Sequence, residues 1–226
     1  MSMDLTIRNE LVRIKIETGH VEGMLELPDN PAGIILFAHG SGSSRLSPRN
    51  NYVAVKLHTA GFGTLLMDLL TPVEDRDYQR RFDIALLTQR LNAAVDWIQQ
   101  EASTASFPIG LFGASTGAAA ALQVAAMRES GIGAVVSRGG RPDMAGRKAL
   151  NKVLAPTLLI VGGLDDVVIE LNREAYSSLH CEKRLEIVPG ATHLFEEPGK
   201  LEVVSDLAAE WFIRHLANPV QIKSKS

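Results

Sequence analysis

Short apolar runs recur along the chain, separated by longer amphipathic segments. Residues 33–38 form the first unbroken run, which is typical of a parallel strand buried on both faces. Before it, residues 11–16 alternate apolar and charged positions with a period of two, and residues 21–27 follow a turn at 18–20. Similar apolar runs follow at residues 62–67, 109–112, 134–136, 157–161 and 185–188. The pattern predicts a mostly parallel sheet of about eight strands with an antiparallel N-terminal hairpin at one edge.

Helical periodicity fills the intervals between these strands. It is clearest at residues 82–100, where apolar side chains recur every three or four positions. Alternation of strand and helix predicts an α/β fold with helices on both faces of the sheet. We expect one domain over residues 1–218 and a frayed tail over residues 219–226. No large lid is expected, because the segment 138–156, where a lid would be inserted, is short. Further helices are predicted at residues 49–60, 116–128, 170–179 and 201–216.

The composition is that of a soluble globular protein without a strongly charged partner. Of the 226 residues, 46% are hydrophobic and 22% are charged, and the net charge is −3, which favours neither nucleic acid nor a membrane surface. Cys181 is the only cysteine, so no disulfide can form within the chain, as is common in reducing compartments. No signal-peptide core or membrane-spanning run is apparent. We expect a cytoplasmic protein that acts on a small molecule, as a monomer or a homodimer.

The pentapeptide at residues 113–117, Gly-Ala-Ser-Thr-Gly, matches the G-x-S-x-G pattern of a nucleophile elbow. It follows an apolar strand and opens a helix, which is the setting that the pattern requires. So sharp a turn strains the backbone at its tip and crowds the positions two before and two after it, where glycine fits. Ser115 is therefore the candidate nucleophile. The alternative is an ordinary turn in which Ser115 caps the helix.

A serine hydroxyl needs a base to accept its proton, and the base needs an acid to orient it. In folds with such an elbow the chain order is serine, acid, histidine. Asp165 and Asp166 follow the seventh strand and His193 follows the eighth, so all lie at the same sheet edge as Ser115. We favour Asp165, which stands in the G-x-x-D-x-x-V frame at residues 162–168, whereas Asp166 can cap the next helix.

The glycine-rich loop His39-Gly40-Ser41-Gly42 follows the third strand. Acyl transfer builds negative charge on a carbonyl oxygen, and losing one of the N–H groups that stabilise it costs about 3–4 kcal/mol. One donor is expected from Thr116, directly after the nucleophile, and the other from this loop. Ser41 is preferred and Gly42 is the alternative. We expect His39 to hold the loop through hydrogen bonds.

Four segments, residues 39–40, 113–117, 162–168 and 190–193, together resemble the dienelactone-hydrolase-like branch of the α/β-hydrolase superfamily. The resemblance runs from the hairpin to the last helix and implies the α/β-hydrolase fold. True dienelactone hydrolases use a cysteine nucleophile, whereas this elbow carries Ser115, and Cys181 lies far from it in sequence. This departure favours a serine esterase over an enol-lactone hydrolase.

Two arginines at the turn after the sixth strand, Arg138 and Arg141, are candidates for binding a substrate carboxylate or phosphate. Pairing of either one with an aspartate at a surface turn is an equal alternative. We accordingly expect an anionic ester substrate. No metal or cofactor is expected, since neither clustered ligand residues nor a nucleotide-type glycine loop is present.

The sequence thus predicts a serine hydrolase that cleaves a small soluble carboxylic ester through a Ser115-His193-Asp165 triad. Because fold does not determine reaction, a thioesterase, an acyltransferase or a peptidase on the same triad remains open. A catalytically inactive binding module of the same fold is the alternative from a different class.

Overall fold

The computed structural model describes residues 6–216, which fold around one eight-stranded sheet. Its strand order is β1-β2-β4-β3-β5-β6-β7-β8. Strands β3 to β8 run parallel, whereas β2 is antiparallel to both β1 and β4. The predicted parallel sheet with its edge hairpin is confirmed. The strands are β1 Ile7–Ile16, β2 Gly19–Pro28, β3 Ile34–Ala38, β4 Gly63–Met67, β5 Ile109–Ala114, β6 Ala134–Arg138, β7 Thr157–Gly162 and β8 Lys183–Val188.

Helices cover both faces of the sheet, as predicted. Within residues 6–216 the α-helices are α1 Pro48–Thr59, α2 Ile84–Gln100, α3 Thr116–Arg128, α4 Arg147–Leu150, α5 Asp166–Ser178 and α6 Lys200–Leu216. Helices α1 and α6 pack together on one face, and α2 and α3 lie on the other with α4 and α5. In β3, Ile34 and Leu36 join the α2–α3 core while Ile35 and Phe37 join the α1–α6 core. Burial on both faces explains the unbroken apolar runs.

The connection between β6 and β7 is short, so no large lid covers this part of the sheet. It contains a single 3₁₀ turn, Pro142–Ala145, and the four-residue helix α4. None of the helices in residues 6–216 combines the length and apolar character needed to cross a bilayer. The predicted domain end at residue 218 and the tail 219–226 lie outside the described residues.

The strand order places a crevice where the chain reverses direction across the sheet. From β3 the chain passes to β4 on one side, and β5 then returns to the other side of β3. Open parallel sheets bind ligands at such a reversal, beyond the carboxyl ends of the two strands. The loop that starts at His39 follows β3, and Ser115 follows β5. The topology therefore brings the predicted oxyanion loop and the predicted nucleophile to one crevice.

Candidate active site

Ser115 stands at the tip of a strained turn between β5 and α3. Its backbone dihedrals are φ 49° and ψ −121°, a combination that non-glycine residues adopt only when the surrounding structure enforces it. A Cβ at Gly113 would lie 2.4 Å from Ala118 Cα, and one at Gly117 would lie 2.1 Å from the Ala38 carbonyl oxygen. Only glycine fits either position. The Ser115 side chain makes no capping hydrogen bond to α3, so its hydroxyl is not committed to the helix.

His193 and Asp165 are joined by a hydrogen bond of 2.6 Å between Nδ1 and Oδ2. A carboxylate can only accept, so Nδ1 carries the proton and Nε2 keeps its lone pair. Asp166 is exposed in the first turn of α5, a helix that begins four residues earlier than predicted. There its charge suits the positive end of the helix. The geometry therefore joins Asp165, rather than Asp166, to the histidine.

The loops that carry Asp165 and His193 are held to each other by their backbones. Gly163 N–H donates to the Val188 carbonyl at 2.8 Å, and Leu164 N–H donates to the Ala191 carbonyl at 2.9 Å. The Glu197 carboxylate accepts from Thr192 N–H at 3.1 Å. Hydrogen bonding, chiefly with the side chain of Thr192, lowers the pKa of Glu197. Sequence reasoning missed Glu197, because nothing in its spacing marks it as a support for the loop.

Ser115 and His193 lie at the same edge of the sheet, on either side of the end of β6. Ser115 N–H donates to the Arg138 carbonyl at 3.3 Å. One residue further, a Cβ built on Gly139 would lie 3.6 Å from His193 Cε1. In this conformation no hydrogen bond between the described side chains joins Ser115 Oγ to the imidazole. Such bonds are often long without substrate and shorten when it binds.

His39 fixes the loop that faces Ser115. Its Nε2 accepts from Leu69 N–H at 3.0 Å and its Nδ1 donates to the Gly40 carbonyl at 2.9 Å, so the ring is held as one neutral tautomer. Burial lowers the pKa of His39, which also favours the neutral form. The loop packs so closely that a Cβ at Gly40 would lie 2.9 Å from Ser115 Cβ.

Ser41 and Thr116, the predicted oxyanion donors, line one narrow cleft together with Gly40, which packs against Ser115. Within residues 6–216, neither backbone N–H donates to another backbone group, so both are available to a ligand. The same cleft is lined by Arg81 and Asp75, which sequence reasoning missed. Arg81 donates to the Asp75 carbonyl at 2.8 Å, and its guanidinium lies next to Gly42. These two residues lie in a connection without periodicity, which explains why no pattern marked them.

The two candidate substrate-binding arginines have different environments. Arg141 forms a two-pronged pair with Asp143 at 2.9 and 2.8 Å, which raises the pKa of the arginine. It therefore matches the surface-turn alternative. Arg138 was expected on that turn, but β6 runs two residues longer than predicted and ends with it. Pairing with both Ala114 of β5 and Ile160 of β7 keeps Arg138 in the sheet, where it is only 6% exposed.

Cys181 is remote from this edge. It lies between α5 and β8, and its Sγ contacts Oγ1 of Thr157, the first residue of β7, at the amino edge of the sheet. Burial raises the pKa of its thiol, which makes it a poor nucleophile. Among residues 6–216, no three His, Cys, Asp or Glu side chains converge to hold a metal ion.

The chain is similar to solved structures over most of its length. Dienelactone hydrolase from Anabaena variabilis ATCC 29413 is 51% identical, with a TM-score of 0.90 over 93% of this chain and 99% of the other. Est1E from Butyrivibrio proteoclasticus is 16% identical, with a TM-score of 0.77 over 90% of this chain and 98% of its own, and shares the fold.

Two curated relatives from Mycobacterium tuberculosis, strains CDC 1551 / Oshkosh and H37Rv, carry a different name. Each is provisionally named a phosphoribosyl transferase and is 55% identical over 216 residues. That match covers 96% of this chain but 48% of each relative, so the chain spans about half the length of the curated proteins it matches.

The family itself follows from the length of the match. The Dienelactone hydrolase family matches residues 21–214, a range that includes Ser115, Asp165 and His193. The family and its structural neighbours support a hydrolase. The expected resemblance is thereby confirmed, and the chain belongs to the dienelactone hydrolase family, within the α/β-hydrolase superfamily.

Proposed function

We propose that this chain is a serine hydrolase that cleaves small soluble carboxylic esters through an acyl-enzyme on Ser115. The observation that carries the proposal is the 2.6 Å hydrogen bond from His193 to Asp165 at the sheet edge where Ser115 is held in a strained turn. A hydroxyl, an imidazole and a carboxylate in this order are the parts that nucleophilic acyl transfer needs.

The reaction follows from the hydrogen-bonding roles of these groups. Ser115 Oγ attacks the ester carbonyl carbon while His193 Nε2 takes the hydroxyl proton, and Asp165 stabilises the imidazolium that forms. The carbonyl oxygen becomes an oxyanion and accepts from the N–H groups of Ser41 and Thr116. The imidazolium returns its proton to the departing alcohol. Water then attacks the acyl-enzyme by the same route and releases the acid and free Ser115.

A serine nucleophile is favoured over a cysteine by the position of Cys181. That thiol lies at the amino edge of the sheet, opposite the elbow, and its raised pKa keeps it protonated. A small substrate is favoured by the short β6–β7 connection, which contains only the turn Pro142–Ala145 and α4. No step of this reaction calls for a metal or an organic cofactor.

The transferase name of the Mycobacterium tuberculosis relatives belongs to longer proteins. This chain matches only about half the length of each. We assign hydrolase chemistry to this chain, because its own residues include the elbow and the pair of His193 with Asp165.

A fluorophosphonate probe tests the proposal directly, because it reacts with an activated serine hydroxyl. We expect wild-type protein and Ser43→Ala, a control in the neighbouring loop, to be labelled, and Ser115→Ala to remain unlabelled. Hydrolysis of chromogenic short-chain esters should fall about 10⁴-fold or more in Ser115→Ala. A folded wild-type protein that neither reacts with the probe nor cleaves esters, lactones or thioesters would be a binding module instead.

A further inference from the structure

Arg138 is a buried cation that forms no ion pair with another described residue. Its side chain is 6% exposed, yet among the described residues its one side-chain hydrogen bond is from its terminal NH2 to Asn50 Oδ1, at 3.3 Å. Its Nε is buried and has no partner. Arg90, the other buried arginine of residues 6–216, instead forms a 2.7 Å ion pair with Glu74. A buried charge is normally paired, so the environment of Arg138 lacks a counter-ion.

The surroundings of Arg138 add further positive charge. Burial lowers the pKa of Arg138 to about 10, and repulsion by the nearby Arg49 adds to this shift. Asn50 and Arg49 belong to the first turn of α1, which contains no acidic residue although the positive end of a helix favours one. The Nε of Arg49 is also buried without a partner. The Arg138 and Arg49 guanidinium groups therefore lie near each other, and Arg138 contacts the first turn of α1 through Asn50.

This positive region lies beside the proposed nucleophile. The Arg138 carbonyl accepts from Ser115 N–H at 3.3 Å. Side chains alternate along β6, and Ala134 and Val136 join the α1–α6 core, so Arg138 follows them onto that face. A small ester could therefore place its anionic group at Arg138 and its carbonyl carbon at Ser115.

We propose that Arg138, Arg49 and Asn50 form a subsite for an oxyanion group, a carboxylate or a phosphate, carried by the ester substrate. The fork of Arg138 suits two-pronged binding of such a group. At present Arg49 pairs at 2.7 Å with Glu196, which is 61% exposed. So exposed a pair contributes little, and an incoming anion can displace the Glu196 carboxylate. The substrate assignment rests on the proposed hydrolase function, whereas the anion site does not.

The substrate arm compares chromogenic esters that differ only at the end of the acyl chain, which carries a methyl group, a carboxylate or a phosphate. We expect wild-type protein to prefer an anionic ester by about 10- to 100-fold in kcat/KM. This preference should fall towards 1 in Arg138→Met and take an intermediate value in Arg138→Lys, which keeps the charge but loses the fork. Arg141→Met is the matched control, since Arg141 is already paired with Asp143, and its preference should equal that of wild type.

The second arm measures whether inorganic phosphate raises the melting temperature of wild type, Ser115→Ala and Arg138→Met. A rise in melting temperature in wild type and Ser115→Ala that is absent in Arg138→Met supports the anion site, even if no ester is cleaved. This arm therefore distinguishes failure of the anion site from failure of the hydrolase proposal. Phosphate binding without preference for anionic esters assigns the site to a free anion and overturns the substrate assignment.

Two further outcomes would overturn the site. One is the absence of both the ester preference and the phosphate shift. The other is equal loss of activity toward anionic and neutral esters in Arg138→Met, which indicates a purely structural arginine. If Arg138→Met does not fold, Arg49→Gln provides the same comparison at a half-exposed position, and labelling of Ser115 by the fluorophosphonate reports an intact site.

Discussion

Ser115 and His193 lie at the same edge of the sheet, but they are held there in different ways. The elbow is enclosed: the residues on either side of Ser115 are at most 2% exposed. Gly113 lets the backbone of β5 contact that of α3, and Gly117 lets the backbone of α3 contact that of β3. The His193 side chain is 38% exposed, and its one side-chain hydrogen bond within residues 6–216 is to Asp165. Packing fixes the proposed nucleophile, whereas a single side-chain contact orients the proposed base.

This difference separates stability from activity. A change in the elbow forces backbone atoms apart and should reduce the free energy of unfolding. A change in the acid–base pair leaves the packing intact and should affect only the reaction.

The largest effect is expected from Asp165→Asn. The amide preserves the shape of the side chain but can donate to Nδ1, which favours the wrong tautomer of His193, so kcat should fall about 10⁴-fold. Asp166→Asn, one residue away and exposed, is the matched control and should stay within about twofold of wild type, because exposed charges near a helix end have weak effects. Steady-state kinetics with a chromogenic ester and thermal melts of both variants measure the two properties. Similar activities of the two variants would remove Asp165 from the triad.

The enclosed side is tested by Gly117→Ala. Its new Cβ would lie 2.1 Å from the Ala38 carbonyl oxygen, which a rigid strand cannot avoid. We expect the free energy of unfolding in urea to fall by about 3 kcal/mol or more. Gly131→Ala is the control, because a Cβ there would meet its nearest neighbour at 3.4 Å. Near-equal stability of the two variants would show that the elbow relaxes, and the comparison would then no longer hold.

The sequence predicted those features that depend on local pattern or on chain order. Unbroken apolar runs revealed the strands because helices bury both faces of the sheet, and the elbow was visible because its two close backbone approaches require glycine. The apolar pattern ends β6 at residue 136, because Ser137 and Arg138 are polar. In the structure both residues pair with β5 on one side and β7 on the other, so the strand extends to Arg138. Arg81 was missed because only the tertiary structure brings its irregular connection beside Gly42.

The smallest expected effect is on the pH dependence of stability. It tests whether the loop at His39 is enclosed by packing, as the elbow around Ser115 is. Burial holds the pKa of His39 below 6.5, against the weaker opposing effects of the Gly40 carbonyl, Asp68 and Asp75. The unfolded chain therefore binds this proton more readily than the folded protein. The contribution of His39 to stability is complete above about pH 6.5 and is lost as the pH falls below it towards the folded-state pKa.

Urea unfolding at about pH 7.5 and about pH 5.5 measures this loss in wild type and in His39→Gln. The glutamine carbonyl can accept from Leu69 N–H as His39 Nε2 does, but it does not titrate. We expect the free energy of unfolding to decrease between the two pH values by a larger amount in wild type than in the variant. Equal decreases would mean that protonation of the His39 ring costs the folded protein no stability. The oxyanion loop would then resemble the half-exposed loop of His193, rather than the packed elbow that it contacts.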